Sequence, residues 1–391
     1  MKVPLLDLRR QNDPIRDELL DAFQRVLDSG QFILGREVDR FESAAAAVAG
    51  ARYAIGVSSG TDALLLALMA LEIGPGDEVI CPSFTFFATA GSVARLGARP
   101  VFVDSRDDTF NLDPAGVERR ITARTRAIIP VHLFGQAADM DEICQIAGRH
   151  RLPVIEDVAQ AFGAAYRGRP LGTLGDFGTV SFFPTKNLGA LGEAGLLVTN
   201  DAKLAEKTRL LRNHGAQPKY YHHMIGGNFR IDAVQAALLA VKLPHLCRYT
   251  ELRRQRACQY DRELRRLDGQ GAVELRLPAM LGDRSHIVNQ YTIRVQRGPN
   301  WQRPESPRDA LRRHLTERGI GSEIYYPVPL HAQECFRYLG PHPALPVSEQ
   351  MAAEVVSLPV FPELTAEEQA AVVEAMREFV EQGPATLESG R

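Results

Sequence analysis

The sequence predicts an α/β fold divided into two domains, and three features predict it. From about residue 53 to residue 200, short β-rich runs alternate with helical stretches. The runs are apolar nearly throughout, as strands covered on both faces are, which points to a mainly parallel sheet flanked by helices. Past Pro244 the elements thin out and their character changes. A chain of 391 residues also exceeds the roughly 250–300 that one hydrophobic core usually serves.

Taken in order, Tyr53 to Ser58 reads as a strand and Thr61 to Leu71 as a helix dense in Leu and Ala. Glu78 to Cys81 is a strand, Thr85 to Leu96 a helix, and Pro100 to Asp104 a strand. Ala127 to Leu133 and Pro153 to Glu156 are near-continuous apolar strands, with a helix at Met140 to His150 between them. Residues 231 to 268 are helical, small and apolar from Ala233 to Leu243, then highly charged from Arg248 to Arg266. Pro244 sits at the change. Lacking an amide proton, it breaks or kinks the helix there. The expected domains are therefore 1–244, large and α/β, and 245–391, small and α+β. The second holds a strand at Gln290 to Val295, a helix at Arg308 to Arg318 closed by Gly319, and a strand at Glu323 to Tyr326. A last helix spans Ala366 to Glu381, and the tail after Gly383 reads as frayed.

Composition excludes several classes. A formal net charge of -2 provides no field for nucleic acid or for an anionic membrane surface. No uncharged apolar run approaches the ~18 residues of a membrane span. The opening Met1-Lys2-Val3-Pro4-Leu5-Leu6-Asp7 is charged too early for a signal peptide. Cys81, Cys144, Cys247, Cys258 and Cys335 lie far apart without metal-ligand spacing, which suits reduced thiols in a cytoplasm. No nucleic-acid, membrane or metal partner is expected. The stretch Arg248 to Arg266 is interrupted by Glu251, Asp261 and Glu263 and reads as a solvated face.

The chemistry concentrates in four segments. In Val180-Ser181-Phe182-Phe183-Pro184-Thr185-Lys186-Asn187-Leu188-Gly189, a lysine follows an apolar strand beside two phenylalanines. Withdrawal from water lowers the pKa of an ammonium and favours the neutral amine, the form Schiff-base chemistry needs. Ser58-Ser59-Gly60-Thr61-Asp62 stands at a strand-to-helix junction. Unpaired amides, hydroxyls and a glycine there suit a phosphate, although the same run also makes an ordinary N-cap. Ile155-Glu156-Asp157-Val158-Ala159-Gln160 puts an acid at the carboxyl end of a buried strand, facing the crevice where α/β proteins bind ligands. Glu156 and Asp157 point to opposite faces of a continuing strand, so one of them serves the site. Among Phe84 to Phe87, one ring could stack on a planar ligand, although phenylalanine at such a place more often belongs to the core. A phosphate cradle, an amine, a buried acid and an aromatic plate together describe a site for pyridoxal 5'-phosphate. The acid keeps the pyridine nitrogen protonated so that the ring accepts electrons, and the lysine takes the aldehyde.

These segments, with Asn228-Phe229-Arg230-Ile231-Asp232 and Tyr325-Tyr326-Pro327-Val328-Pro329-Leu330-His331, resemble one family over about residues 4 to 375. It is the DegT/DnrJ/EryC1/StrS family of nucleotide-sugar aminotransferases. The resemblance implies an aspartate aminotransferase-like architecture of fold type I: a large sheet domain, a small C-terminal domain, and a homodimer with active sites at the interface. It implies that Lys186 carries the cofactor, Asp157 pairs with the pyridinium nitrogen, and Gln160 contacts the ring hydroxyl. Phe86 would stack on the ring. Gly60, Thr61 and Ser181 would hold the phosphate, with Asn228 reaching it from the other subunit. Arg230, Tyr326 and His331 match positions that line the sugar pocket.

By the same resemblance the substrates are L-glutamate and a ketosugar on a nucleotide, with residues His214 to Asn228 closer to members acting at C3 than at C4. Leu191-Gly192-Glu193-Ala194-Gly195 departs from the frequent Gly-Asp-Gly-Gly, and Phe229 replaces a frequent serine. Both changes bear on the sugar pocket rather than on the lysine. Relatives with histidine in place of the lysine act as dehydratases, so Lys186 favours transamination. A different reaction with the same cofactor and a non-catalytic regulatory role stand as the alternatives.

Overall fold

Strands that are apolar on both faces need cover on both sides, and this chain supplies it with helices. A computed structural model describes residues 1–267 and 272–382. The tail after Gly383, expected to fray, lies outside the described residues. The main sheet comprises β1 (Tyr53–Val57), β2 (Glu78–Pro82), β3 (Arg99–Val103), β4 (Thr125–Ile128), β5 (Ile155–Asp157), β6 (Phe177–Ser181) and β7 (Gly195–Thr199). Hydrogen bonding orders them as β1-β7-β6-β5 and β3-β2-β4. Parallel bridges Ile128↔Val154 and Val131↔Asp157 join the two groups. Strand β2 runs parallel to β3 and β4, and β5 parallel to β6, whereas β7 is antiparallel to both its neighbours.

This topology positions the site. Since β7 opposes both β1 and β6, those two share a direction with β5. The segments that follow β1, β5 and β6 therefore open on one edge, where a parallel sheet presents its ligands. The helix Gly60–Ala70 crosses the sheet with Ala63, Leu64, Leu65, Leu66, Ala67 and Leu68 all buried. It is apolar all round because it is covered all round.

The C-terminal part holds an antiparallel sheet of β8 (Val273–Arg276), β9 (Tyr291–Arg297) and β10 (Val355–Leu358). The helices Pro307–Glu317 and Ala366–Gln382 complete a second hydrophobic cluster with it, and Val3 packs into that cluster from the other end of the chain. We propose Pro244 as the division between the two domains. A short 3-10 turn, Leu243–His245, separates the helices Ala233–Lys242 and Leu246–Leu264 there.

Four expectations are corrected. The strand expected over Ala127 to Leu133 stops at Ile128, because Pro130 has no amide to continue the ladder. The helix expected from Thr85 begins at Ala88, and Phe86 is left outside it. Glu323 to Tyr326 is no strand: Glu323 makes one bridge to Ser357, and the two tyrosines turn into a cavity instead. The helix Leu246–Leu264 is no uniformly solvated face. Tyr249, Arg253, Ala257, Tyr260 and Leu264 form a buried stripe at helical spacing, and the arginine lies within it.

Candidate active site

The loop after β6 folds back tightly on itself. Lys186 N donates to Phe183 O at 2.9 Å, and Ala190 N to Phe182 O at 2.8 Å. A Cβ on Gly189 would stand 2.1 Å from Pro184 O, so this turn accepts only glycine. Asn187 ties the loop down from Nδ2 to Ile287 O at 2.9 Å. The loop thus holds Lys186 over the sheet edge.

Close backbone approach also shapes the end of β1. Ser59 caps the helix Gly60–Ala70, its Oγ accepting from Asp62 N at 3.1 Å. The first backbone bond of the helix is Ala63 N to Ser59 O, so the amides of Gly60 and Thr61 precede the ladder. A Cβ on Gly60 would lie 2.6 Å from Ser181 Cβ, and one on Gly195 would lie 2.4 Å from Ser59 O. The small residues let three chain segments meet around a helix N-terminus, where the dipole and free amides favour an anion. The N-cap and the anion cradle are therefore one structure.

Gly60, Thr61, Phe86, Asp157, Gln160, Ser181, Lys186 and Tyr326 all line one cavity of about 440 Å³. That volume falls among small-molecule and cofactor pockets, roughly 300–1,000 Å³. Phe86 exposes 57% of its surface, while Phe84 is buried in a core cluster. Of the four residues 84 to 87, Phe86 is thus the ring that offers a face to the cavity. The ring of Tyr326 lies 6.1 Å from that of Phe86.

Electrostatics separate the two carboxylates of β5. Asp157 borders the cavity, its Oδ2 accepting from Thr89 Oγ1 at 2.9 Å and its Oδ1 from Ala159 N at 3.1 Å. Burial pushes its pKa above the usual carboxylate range, against those hydrogen bonds and the nearby Lys186. Lys186 is pulled down to about 8 by burial, with the Asp157 charge opposing the shift. By area Lys186 is only half-buried, since its side chain faces the cavity. The enclosing walls, not its own cover, keep bulk water from the ammonium. Lys242 is also pulled to about 8 by burial, yet it lies outside the cavity lining. The cavity, rather than the shift, singles out Lys186.

Gln160 is fixed at both ends of its amide. Its Oε1 accepts from Phe134 N at 2.6 Å, and its Nε2 donates to Tyr326 Oη at 3.3 Å. Burial, then the Asp157 charge, raises the pKa of the Tyr326 phenol.

Three expected site residues stand apart from this lining. Asn228 is exposed and bridges to Asn213, whose Oδ1 accepts from Arg230 Nη1 at 2.7 Å. His331 Nδ1 lies 2.6 Å from Ser83 Oγ, and its Nε2 lies 3.3 Å from Glu349 Oε1. Conversely, Thr85, Glu193, Gln290 and Tyr325 line the cavity, and Thr89 holds Asp157, without having been singled out from the sequence. Thr85, Glu193 and Tyr325 stand inside segments that the sequence marks, whereas Gln290 and Thr89 carry no such signal.

The donor set fits pyridoxal 5'-phosphate. The cavity joins a depressed lysine, a buried carboxylate and a glycine-built cradle that a Cβ would fill.

The model of the DegT/DnrJ/EryC1/StrS aminotransferase family matches residues 13–377. A pleiotropic regulatory protein of Geobacillus stearothermophilus is 50% identical over 380 residues, covering 97% of this chain and 99% of that protein. A UDP-N-acetyl-3-dehydro-alpha-D-glucosamine 3-aminotransferase of Acidithiobacillus ferrooxidans is 46% identical over 375 residues, covering 96% and 97%. Among solved structures, DesV of S. venezuelae in complex with a ketimine intermediate superposes with a TM-score of 0.89 at 43% identity, covering 97% of this chain and 98% of that one.

Proposed function

This chain belongs to the DegT/DnrJ/EryC1/StrS aminotransferase family, and on that premise we propose that it aminates a ketosugar carried on a nucleotide. The amino donor is L-glutamate, and the amine is set at C3, the position named for the Acidithiobacillus relative. The observation that carries the reading is Lys186, held near pKa 8 on the wall of a cofactor-sized cavity opposite no other lysine of that lining.

When bound, pyridoxal 5'-phosphate supplies an aldehyde that takes an amine covalently and a ring that accepts the electron pair left by a departing proton. Lys186 would hold the aldehyde, Asp157 the ring nitrogen and Gln160 the ring hydroxyl. Gly60, Thr61 and Ser181 would hold the phosphate, and Phe86 would cover the ring face. Near neutral pH a useful fraction of Lys186 is the free amine, because burial has brought its pKa within reach. Its Nζ takes the proton from the donor Cα in the first half of the reaction and returns one to the sugar carbon in the second. Paired with a protonated ring nitrogen, Asp157 would be held in its charged form, against the burial that disfavours that charge.

The site is proposed to be shared in a homodimer. Tyr220, Tyr221 and Ile225 are 78%, 67% and 91% exposed on the segment leading to Asn228, and so many bare apolar side chains suit a partner surface. Arg230 and His331 would then serve the sugar end. Among the described residues no helix is long and apolar enough to cross a membrane and all five cysteines are free, which supports a cytoplasmic protein.

The test is a coupled assay with L-glutamate and 3-keto and 4-keto nucleotide sugars. Turnover confined to 3-keto substrates is expected. Cofactor-loaded protein that turns over none of them defeats the reading and leaves another reaction of the same cofactor. The regulatory name of the Geobacillus relative favours a second reading, ligand sensing without catalysis. Duplex DNA retained on a filter at two salt concentrations would support that reading; a net charge of -2 argues against it.

A further inference from the structure

Inside a helix, a threonine hydroxyl commonly turns back to the carbonyl four residues earlier. Thr208 and Thr316 do so in this chain, at Leu204 O and Arg312 O, 2.8 and 2.9 Å away. Thr89 does not. It stands in the first turn of the helix Ala88–Arg95, and the position four back, Thr85, precedes that helix. Fully buried, Thr89 Oγ1 donates instead to Asp157 Oδ2 on β5 at 2.9 Å. Its other neighbour, Thr85 Oγ1, lies 3.4 Å away, long for a bond between hydroxyls. The proton goes to the carboxylate.

That bond matters because little else orients the acid. The backbone of Asp157 is pinned on both sides, its N donating to Pro130 O at 2.9 Å and its O accepting from His132 N at 3.0 Å. Among the described residues, two donors hold the carboxylate itself, Thr89 Oγ1 and Ala159 N. An ionised carboxylate has about four acceptor sites, and Asp157 borders the cavity with the remainder unused. Ala159 is two residues along the same strand exit, so Thr89 alone ties the group to another element. Thr89 N also donates to Phe86 O at 3.3 Å. One turn of chain therefore carries both the ring at the cavity wall and the anchor of the acid.

We propose that Thr89 is a positioning residue of the reaction: its hydroxyl tethers Asp157 so that the carboxylate is presented to the ring nitrogen of the bound cofactor. The assignment rests on the cofactor reading of the site and deepens it. It places the control of the ring nitrogen on the segment that also supplies Phe86.

1-Deazapyridoxal 5'-phosphate, which has a C–H in place of the ring nitrogen, is the probe. In equilibrium dialysis, cofactor-free native protein should bind pyridoxal 5'-phosphate about tenfold or more tightly than this analogue, the worth of a hydrogen bond to a charged group. Thr89→Val keeps the branched shape and removes the hydroxyl. It should narrow that preference by about threefold or more, and Thr89→Ser should restore it. Thr89→Ala carries the same comparison should the valine variant fail to fold. A hydroxyl that served packing alone would affect both compounds equally, so an unchanged preference in the folded variants overturns the tether. Native protein that binds the two compounds alike overturns it as well, because Asp157 then gives the ring nitrogen nothing. Native protein that binds neither defeats the cofactor reading and the tether with it. A preference that depends on Thr89, in protein that aminates no sugar, upholds the tether and defeats the proposed function.

Discussion

Glu156 and Asp157 are consecutive on β5, and their carboxylates end in opposite surroundings. Glu156 accepts from Leu174 N and Gly175 N at Oε1, at 2.7 and 2.8 Å, and from Gly172 N at Oε2, at 2.9 Å. His132 completes the set. Its Nδ1 accepts from Ala138 N at 3.0 Å, which leaves the proton on Nε2 to donate to Glu156 Oε2 at 3.0 Å. Asp157 instead faces the cavity. Strand alternation assigns one acid to the architecture and its neighbour to the chemistry.

Substitution should separate the two roles. In Glu156→Gln, either placement of the amide turns an NH₂ toward buried N–H donors. The expected cost is ~1–3 kcal/mol of stability, read as a fall in the denaturant midpoint, with the cofactor spectrum retained. Asp157→Asn should leave stability near native, because its oxygen can still accept from Ala159 N while its NH₂ donates to the Thr89 hydroxyl. Its turnover should fall on the order of 10²–10³-fold. The reverse pattern would exchange the two assignments.

Lys186 should titrate apart from surface lysines. In cofactor-free protein, modification of the peptide containing residue 186 by an amine-specific reagent, followed by mass spectrometry, should rise with pH around a midpoint near 8. Asp157→Asn removes the charge that holds this pKa up, so the midpoint should move lower still. A midpoint in the ordinary lysine range, near 10.4, would show that the cavity stays fully wet.

Gly60 tests the cradle. A methyl at this position meets Ser181 Cβ at 2.6 Å and Ser181 Cα at 3.1 Å, and backbone cannot yield as a long side chain can. Gly60→Ala should cost ~1–3 kcal/mol in stability and weaken cofactor binding, measured by equilibrium dialysis. Gly74→Ala is the control, since nothing stands within 4 Å of a Cβ there. Equal cofactor affinity in the two variants would remove the cradle from the phosphate site.

What the sequence made legible was whatever a single segment encodes. Lys186 after its apolar strand, Asp157 at a strand end and Gly60 at a helix start are each local patterns. Choosing between Phe84 and Phe86 was not local, because the two rings differ in what other elements cover them. Thr89 was invisible for the same reason: a threonine inside a helix gives no hint that β5 brings a carboxylate to its hydroxyl. Arg253 misleads in the opposite sense. Its neighbours are charged, yet the stripe from Tyr249 to Leu264 buries it against the carbonyls of Val288, Asn289 and Val360, which arrive from distant parts of the chain.

His286 gives the fold an acid limit that can be measured. Burial, reinforced by the charge of Arg254, pulls its pKa from 6.5 down to about 4, against a hydrogen bond to the Gly135 backbone. Its Nδ1 accepts from Val288 N at 3.0 Å, so the ring serves the fold in its neutral form. Between about pH 4 and 6.5 the unfolded chain binds a proton here that the folded chain refuses. Stability from this group is therefore fully present above pH 6.5 and is lost as the pH falls toward 4. Integrated over that window the loss is ~3 kcal/mol. His286→Asn keeps an acceptor near Nδ1 and removes the titration. Urea denaturation of both proteins from pH 4 to pH 7.5 should show a smaller acid loss in the variant, whatever its stability at pH 7.5. Parallel curves would mean that His286 is protonated in the native fold and contributes nothing to its acid sensitivity.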